Sequence, residues 1–135
     1  MIYVDSGILI YALEDDGVRG AAARRALAGA ETRLATSPLA LAECLIGPLR
    51  SDDLVRRDRH LQLYDRFVTI PLDGDAFVRT AELRARFGLR TPDALHLAAA
   101  QIADCEALWT NDRRLAAASH GLAVDVIGAR DQPLP

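Results

Sequence analysis

Lysine is absent from the 135 residues of this chain, and all 16 of its basic residues are arginine. Without lysine, the chain cannot contain a phosphate-binding loop that ends in Gly-Lys-Ser/Thr, nor a site that forms a Schiff base through a lysine amine. The arginines are outnumbered by 19 acidic residues, which gives a formal net charge of −3. This charge argues against nucleic-acid binding by bulk positive charge, but it allows a local acidic site with arginine elsewhere.

Cysteine is scarce, since only Cys44 and Cys105 occur and they do not form a Cys-x-x-Cys pair. The three histidines, His60, His96 and His120, do not have zinc-site spacing with these cysteines. We therefore expect two buried, reduced thiols, as is usual in a cytoplasmic protein.

Long apolar runs are also missing, because no stretch approaches the roughly 18 residues that a membrane span requires. Residues 1–5 lack the basic segment of a secretory signal peptide and reach an acidic residue at once. We expect no membrane association and a cytoplasmic location. With 50% hydrophobic and 26% charged residues, the composition is that of one globular domain, spanning residues 1–135 with a frayed tail at 131–135.

Short apolar segments alternate with helical patterns, which is typical of a parallel sheet covered by helices on both faces. Apolar and β-branched runs predict five short strands, over residues 2–4, 33–36, 68–70, 107–110 and 124–127. Apolar spacing and turn residues predict helices over residues 8–14, 18–28, 38–46, 52–67, 73–87, 93–104 and 113–119. The predicted fold class is α/β, a three-layer α/β/α domain around a central parallel sheet of five strands.

Several helix boundaries carry sequence signals. Ser37-Pro38 and Thr91-Pro92 each combine an N-cap residue with proline at the first helical position, and Gly47-Pro48 is a stop signal. Ser51 is expected to cap the helix that follows. The apolar positions of that helix repeat at helical spacing and are Leu54, Leu61, Tyr64 and Val68.

Four of the acidic residues lie where an exposed helix face does not account for them: Asp5, Glu43, Asp93 and Asp112. Asp5 ends the first predicted strand, and Asp112 follows the fourth. Glu43 and Asp93 lie near the starts of helices that are apolar on most sides, so their carboxylates need a partner or a cation. Because ligands bind at the C-terminal ends of the strands in open parallel sheets, all four are expected at one crevice.

Carboxylates brought together in this way repel one another, and a hard divalent cation relieves the repulsion. Mg²⁺ and Mn²⁺ prefer oxygen ligands, and Mg²⁺ is commonly held by one or two carboxylates together with water and substrate phosphate. Such ions generate hydroxide and stabilise in-line phosphoryl displacement, which is the chemistry of nucleases. The four acids therefore predict a metal-dependent nuclease site.

Three of the four acids also have a specific structural interpretation. Asp93 at a helix start could complement the helix dipole, Asp112 could be a turn former or cap, and Glu43 could pair with a distant arginine. A phosphatase or phospho-acceptor domain is another class of function, but lysine is absent and residues 5–7 lack an Asp-x-Asp pattern. The joint placement of the four acids favours the metal site.

Four motifs in chain order resemble those of the PIN-domain ribonucleases, in particular the toxins of VapBC-type toxin–antitoxin pairs. The family's opening strand with Asp-Thr/Ser corresponds to residues 2–6, and its Thr-Ser before a helical Glu corresponds to Thr36-Ser37 and Glu43. Asp-Ala at a helix start before an apolar run corresponds to Asp93-Ala94, and Thr-Asn-Asp after the fourth strand corresponds to residues 110–112. The resemblance covers the whole chain.

The resemblance implies a PIN-like fold and an endoribonuclease activity with Mg²⁺ or Mn²⁺ as the cofactor. Asp5 and Asp93 would be the first metal ligands, and Glu43 and Asp112 would complete the acidic catalytic pocket. The supporting polar groups would be Ser6, Thr110 and Asn111. The resemblance also implies a small antitoxin protein that occupies the crevice, homodimers, and a toxin–antitoxin hetero-oligomer.

Two positions depart from the family pattern. Gly7 stands where the family often has a polar or small side chain, and Arg114-Leu115 stands where many members carry a further acid. One-metal and two-metal sites both remain open. The alternative function is a catalytically weak or inactive PIN-like module that binds RNA or protein.

Basic residues near Asp93 are candidates for contact with RNA. Arg84, Arg86 and Arg90 precede this acid and could bind phosphates at the rim of the crevice, although an ordinary solvated helix face explains them equally well. His96 lies three residues after Asp93, where it could contact phosphate or donate a proton. The alternative for His96 is a partly buried, hydrogen-bonded packing residue.

Overall fold

The computed structural model describes residues 1–128, so the expected fraying of residues 131–135 lies outside the described residues. The strands are β1 (Ile2–Val4), β2 (Leu34–Thr36), β3 (Val68–Thr69), β4 (Ala107–Trp109) and β5 (Ala123–Val124). The helices are α1 (Ser6–Glu14), α2 (Val18–Gly29), α3 (Pro38–Arg50), α4 (Leu54–Tyr64), α5 (Gly74–Phe87), α6 (Thr91–Ile102) and α7 (Arg113–Ala118). Among these helices, none has the length and hydrophobicity needed to cross a membrane.

The strands form one parallel sheet in the order β3-β2-β1-β4-β5, so β1 lies at its centre. Val4 of β1 is opposite Trp109 of β4, and the amide of Asp5 donates to the carbonyl of Trp109 at 3.1 Å. The strand order reverses between β1 and β4, and such a reversal opens a ligand crevice beside the C-terminal ends of the strands. The predicted α/β class with a parallel sheet is confirmed.

Helices cover both faces of the sheet because successive residues of a strand point to opposite sides. Tyr3 packs into a core with residues of α5, α6 and α7, whereas Val4 packs into a second core with residues of α1, α2 and α3. Both side chains are fully buried. Removal of this apolar surface from water is the main force that holds the three layers together.

Helix α6 is buried along most of its length, since residues 94–100 are all buried. Four of these seven residues are alanine, a strong helix former whose small side chain lets neighbouring elements approach closely. His96 is the one side chain with polar atoms in this run, so its nitrogens must find hydrogen-bond partners inside the protein.

Helix α3 is longer than predicted, because Gly47-Pro48 does not end it and the helix continues to Arg50. Pro48 has no amide to donate within the helix, yet it is buried in line with Cys44 and Ala40, which are one and two turns earlier. Burial of this stripe outweighs the loss of one helical hydrogen bond. The predicted stop was therefore wrong.

The start of α4 also differs from the prediction. Asp52 adopts the left-handed conformation, with φ of 52°, which separates α3 from α4. Asp53, not Ser51, is the N-cap residue, and its side chain accepts a hydrogen bond from the Arg56 amide at 3.0 Å. The predicted cap at Ser51 was wrong because its hydroxyl donates backwards, to the Gly47 carbonyl at 3.1 Å.

The buried face of α4 is not the one that apolar spacing predicted. Leu54 is 52% exposed, whereas His60 is buried. His60 Nε2 lies 2.8 Å from Glu14 Oε2 at the end of α1. This partner lets a polar side chain lie inside, which a pattern of apolar residues does not reveal.

Strand β5 is shorter than predicted and starts one residue earlier. Asp125 follows it directly, and its side chain accepts hydrogen bonds from the amides of Ile127 and Gly128 at 3.0 and 2.6 Å. The resulting turn ends the strand after Val124. Ile127 is nevertheless fully buried, because it packs into the core around Val4.

Two predicted helix caps, at Ser37 and Thr91, differ from the structure. Ser37 is at the N-cap position of α3 but makes no capping hydrogen bond, and the N-cap residue of α6 is Arg90 rather than Thr91. The Ser37 hydroxyl is therefore available for another contact. Cys44 and Cys105 are buried free thiols, as predicted.

Gly20 provides a stability test of the close approach at the start of α2. A Cβ here would overlap the backbone carbonyl of Asp15, which has no alternative rotamer. We expect Gly20→Ala to lower the free energy of unfolding by about 1–3 kcal/mol. Gly29→Ala, in the same helix, meets nothing within 4 Å and is expected to be neutral or slightly stabilising. Urea unfolding compares the two variants, and equal stabilities would contradict the packing described.

Candidate active site

The floor of the candidate site is formed where the two central strands end. Asp5 follows β1 and Thr110 follows β4, and these strands are adjacent and parallel. Both side chains are buried, and the Thr110 side chain interacts with the Asp5 carboxylate. Asn111 and Asp112 continue from Thr110 to the start of α7.

Asp5 is only 7% exposed. Its Oδ1 accepts a hydrogen bond from the Ile8 amide at 3.1 Å, which makes Asp5 the N-cap residue of α1. Burial raises the pKa of Asp5, and its interactions with Thr110, His96 and the Ile8 amide reverse only part of that rise. The ionised form of Asp5 is therefore unfavourable here, and a cation beside it would relieve the cost.

Glu43 lies in the second turn of α3 and connects it to α1 and α6. Its Oε1 accepts a hydrogen bond from Ser6 Oγ at 3.0 Å and lies 2.6 Å from His96 Nε2. Burial acts to raise the pKa of Glu43, but the hydrogen bond and electrostatic effect of the His96 ring, together with Ser6 and Arg90, outweigh burial and lower it. Glu43 is therefore ionised at neutral pH, and its side chain is 30% exposed.

A buried tyrosine extends this network into the core. The Tyr3 hydroxyl lies 2.6 Å from His96 Nδ1 and 2.7 Å from Ser37 Oγ. Burial raises the pKa of Tyr3, so the hydroxyl keeps its proton. His96 is 3% exposed and has a partner at each ring nitrogen. The structure thus favours the packing interpretation of His96 over direct contact with RNA.

Asp93 lies in the first turn of α6, one helical turn before His96. The Nε of Arg90 is 3.2 Å from Asp93 Oδ2. The side chain of Arg90 is 75% exposed, whereas that of Asp93 is 15% exposed, and the Arg90 charge also acts on Glu43. Arg90 therefore lies at the solvent side of the acidic residues, where its contact with RNA stays a prediction.

Asp112 is the N-cap residue of α7. Its Oδ1 accepts hydrogen bonds from the amides of Arg114 and Leu115 at 2.9 and 3.1 Å. Its own amide donates to Thr110 Oγ1 at 3.1 Å. The capping interpretation of Asp112 is confirmed, and its part in a metal site stays a prediction.

Gly7 borders two of the predicted site residues. A Cβ at this position would lie 3.3 Å from Asp5 Oδ1 and 3.5 Å from Asn111 Oδ1. The absence of a side chain therefore leaves space beside two oxygen atoms at the strand ends. This is a physical reason for glycine at a position where the PIN-domain ribonucleases often carry a side chain.

The other two arginines of the predicted rim lie at the end of α5. Arg84 Nε donates to the Leu89 carbonyl at 3.1 Å, which ties the helix to the turn before α6. Arg86 is exposed. Arg84 thus has a structural task that the sequence did not reveal, and contact of either residue with RNA stays a prediction.

The donor chemistry of the site fits a hard divalent cation. The four acids offer carboxylate oxygens only, and Thr110 and Asn111 add neutral oxygens near Asp5. Within residues 1–128, no group of three or more acidic, histidine or cysteine side chains is placed to hold a metal ion. The fit to Mg²⁺ therefore rests on the chemistry of the donors, since proteins commonly hold this ion with one or two carboxylates and several waters.

A protein-family model described as the PIN domain matches residues 2–121. The chain belongs to the PIN domain family. The match includes all four acids and every element from β1 to α7. The resemblance that the four motifs carried is therefore confirmed at the level of the family.

Solved structures of toxin–antitoxin proteins share this PIN fold. A toxin–antitoxin complex from Klebsiella pneumoniae is 26% identical, with 93% of this chain and 97% of that chain covered and a TM-score of 0.77. Mycobacterium tuberculosis VapC20, a Sarcin-Ricin loop cleaving toxin, is 18% identical, with 87% of this chain and 95% of that chain covered and a TM-score of 0.76. VapBC2 from Rickettsia felis, bound to a DNA fragment from its promoter, is 20% identical, with 92% of this chain and 98% of that chain covered and a TM-score of 0.72. No curated protein matches the chain significantly.

Sequence reasoning did not find two residues that support the site of this PIN domain, Tyr3 and Ser37. A tyrosine in a central strand is itself a signal, because a buried phenol usually finds a hydrogen-bond partner. Ser37 was assigned to helix capping and to the Thr-Ser motif of the resemblance, but nothing in its spacing from Tyr3 indicates their contact across two strands.

Asp5 gives a stability prediction with a definite sign. Burial raises the pKa of Asp5 above its value in the unfolded chain, so the folded chain binds this proton more tightly. The free energy of unfolding therefore falls as the pH rises from the unfolded pKa through the folded pKa. At pH 7 in EDTA, Asp5→Asn is therefore expected to raise the melting temperature, since asparagine keeps the N-cap hydrogen bond.

Asp5→Ala is the matched control, because it removes the charge and the cap together. It is expected to be about 1 kcal/mol less stable than Asp5→Asn. Thermal unfolding followed by circular dichroism measures both variants. A melting temperature of Asp5→Asn below that of the unmodified chain would contradict the assigned cost of the buried charge.

Proposed function

We propose that this PIN domain is a metal-dependent endoribonuclease and the toxin of a toxin–antitoxin pair. The observation that carries the proposal is the buried Asp5 carboxylate at the ends of two parallel strands, whose ionised form a cation would stabilise. The other three acids, Glu43, Asp93 and Asp112, add carboxylates from α3, α6 and the start of α7. Membership of the PIN family supports the proposal, because PIN nucleases generally use divalent metals.

Asp5 and Asp93 would hold Mg²⁺ or Mn²⁺ as first ligands, and Glu43 and Asp112 would complete the catalytic pocket. The cation would lower the pKa of a bound water and stabilise charge on the phosphodiester. Asp5 is expected to be the primary ligand because it gains most from a neighbouring positive charge. The departure at Arg114-Leu115 leaves the number of metal ions as one or two.

The protein's own residues bind and orient the reactants. Asp5 is fixed by its cap to α1, and Glu43 is fixed by Ser6 and His96, so both carboxylates are in place before RNA binds. Ionised Glu43 can accept a hydrogen bond from the attacking water and orient it. Arg90 at the solvent side can form a charge-assisted hydrogen bond with an RNA phosphate.

An RNA substrate and an antitoxin partner are supported by proteins with the same fold. The structure from Klebsiella pneumoniae is a toxin–antitoxin complex, and VapC20 is a toxin that cleaves the Sarcin-Ricin loop. For this chain we propose a small antitoxin that occupies the crevice, a homodimeric toxin, a hetero-oligomeric complex with the antitoxin, and a cytoplasmic location.

A PIN-like module that binds RNA or protein without cutting it is the second candidate. Two observations favour it: Arg114 stands where many PIN toxins have an acid, and residues 1–128 hold no cluster of three metal-ligating side chains. Titration calorimetry with Mn²⁺ discriminates the two functions. Absence of binding at millimolar Mn²⁺ would favour the inactive module.

RNA cleavage tests the proposed activity. We expect the purified chain to cut RNA in the presence of Mg²⁺ or Mn²⁺, and we expect EDTA to abolish the cleavage. Asp5→Ala and Asp93→Ala are each expected to lower the rate by about 100-fold or more, because each removes a carboxylate that would hold the cation. Asp58→Asn, on an exposed part of α4, is the matched loss of charge and is expected to cut at the unmodified rate. Cleavage that survives both alanine substitutions would overturn the proposal.

Arg90 is expected to affect metal and RNA binding in opposite directions. Its guanidinium pairs with Asp93, so it competes with a cation for that carboxylate. Because the arginine is largely exposed, the pair contributes at most about 1 kcal/mol, and Arg90→Gln is expected to tighten Mn²⁺ binding about two- to fivefold. The same variant is expected to raise the KM for RNA, since a phosphate contact is lost.

Calorimetry and steady-state kinetics measure the two effects of Arg90→Gln. Arg59→Gln, which removes an exposed arginine from α4, is the control for the change in net charge and is expected to alter neither quantity. Weaker Mn²⁺ binding in Arg90→Gln than in Arg59→Gln would show that Arg90 does not compete with the cation.

A further inference from the structure

We infer that Tyr3 and His96 are positioning residues that hold the Glu43 carboxylate at the edge of the acidic pocket. The inference rests on the proposed function, because Glu43 is one of the four acids of that pocket. The contacts run from Ser37 Oγ to the Tyr3 hydroxyl at 2.7 Å, then to His96 Nδ1 at 2.6 Å. The opposite ring nitrogen, Nε2, lies 2.6 Å from Glu43 Oε1.

The donors in this chain of contacts all point toward Glu43. An ionised carboxylate can only accept, so the contact of 2.6 Å requires a proton on His96 Nε2. In a neutral imidazole, Nδ1 is then an acceptor, and the Tyr3 hydroxyl is the donor that lies beside it. Because the Tyr3 proton is then directed to His96, the Ser37 hydroxyl, 2.7 Å away, is left as the donor to the Tyr3 oxygen. Tyr3 therefore selects the tautomer that His96 presents to Glu43.

Both donors to Glu43 contact the same oxygen atom. Ser6 Oγ and His96 Nε2 reach Oε1, and the hydrogen bonds of residues 1–128 include none to Oε2. Two donors on one oxygen fix the orientation of the carboxylate and leave its second oxygen available to a cation or a water. The side chain is partly exposed, so solvent and ions can reach that oxygen.

The two donors are carried by the elements that also carry the other central acids. Ser6 directly follows Asp5, and His96 lies one helical turn after Asp93. The hydrogen bonds from Ser6 and His96 therefore set the position of Glu43 relative to both of these acids. Removal of the Tyr3 hydroxyl would loosen this relation without touching any of the acids.

Packing alone does not account for a polar pair at this place. Every other residue of 94–100 is alanine or leucine, and the neighbours of Tyr3 in β1 are isoleucine and valine. Burial of polar groups is costly unless each one is hydrogen-bonded, and apolar residues of similar volume commonly serve a core as well. The rings of Tyr3 and His96 also meet edge to face, with centroids 5.6 Å apart, which holds the imidazole in its orientation.

The test compares two variants that each lose one buried hydroxyl. Tyr3→Phe removes the hydroxyl beside His96, and Thr80→Val removes one in α5, where Thr80 Oγ1 donates to the Ala76 carbonyl at 2.8 Å. Both are expected to lower the melting temperature. Because a lost supporting hydrogen bond at a metal site typically costs about 10–100-fold, Tyr3→Phe is expected to lower kcat about tenfold and to weaken Mn²⁺ binding.

The KM for RNA separates positioning from a general loss of structure. Tyr3→Phe is expected to leave this KM within about twofold, since the hydroxyl is buried and does not contact RNA. Thr80→Val is expected to leave kcat, KM and Mn²⁺ affinity unchanged. Equal kcat and equal Mn²⁺ affinity in the two variants would overturn the inference.

Two substitutions of His96 test the direction of the network. Glutamine can place an amide N–H near the position of Nε2 and so keep the donor to Glu43, whereas asparagine reaches only the position of Nδ1. His96→Gln is therefore expected to keep a kcat about tenfold above that of His96→Asn. Equal kcat values, or a higher one for asparagine, would overturn the inference.

Mn²⁺ affinity distinguishes failure of this inference from failure of the proposed function. If the unmodified chain binds Mn²⁺ but cuts no RNA, the proposed activity is wrong. The positioning role is still tested in that case, by the ratio of the Mn²⁺ affinities of Tyr3→Phe and Thr80→Val. Weaker binding in Tyr3→Phe supports that role, and equal binding overturns it. A chain that neither binds Mn²⁺ nor cuts RNA overturns both.

Discussion

A carboxylate buried at the end of the central strand is the constraint on which the rest of the site depends. Asp5 cannot move to solvent, because its backbone amide is bonded to β4 and its side chain caps α1. The sheet order places β1 between β2 and β4, so the carboxylate is surrounded by strand ends and helix starts. Its charge must therefore be met inside the crevice, by dipoles, by His96 or by a cation.

The core and the site share residues rather than lying apart. Tyr3 contributes its ring to the core beneath α6 and its hydroxyl to the network that ends at Glu43. The alternation of β1 sends Val4 to the opposite core, so one short strand supports both layers of helices. Stability and site geometry are thus expected to respond together to changes in β1, and only a comparison at matched stability separates them.

Much of the fold could be predicted from the sequence, since apolar strands and helix signals recur in a regular order. The end of α3 could not, because burial of Pro48 decides it, and that burial depends on neighbours distant in the chain. The burial of His60 could not be predicted either, because its partner Glu14 lies in another helix. For the site, strand ends indicated where Asp5 and Asp112 lie, but the contact of Tyr3 with His96 spans 93 positions and leaves no local pattern.

The central claim is that the acidic crevice binds a divalent cation through Asp5 and Asp93. Anomalous diffraction from crystals grown with Mn²⁺ tests it most directly, because the ion is located independently of any enzymatic activity. We predict an anomalous peak within coordination distance of both carboxylates, in the space beside Gly7. Crystals that show no peak there, while Mn²⁺ scatters elsewhere in the same molecule, would contradict it.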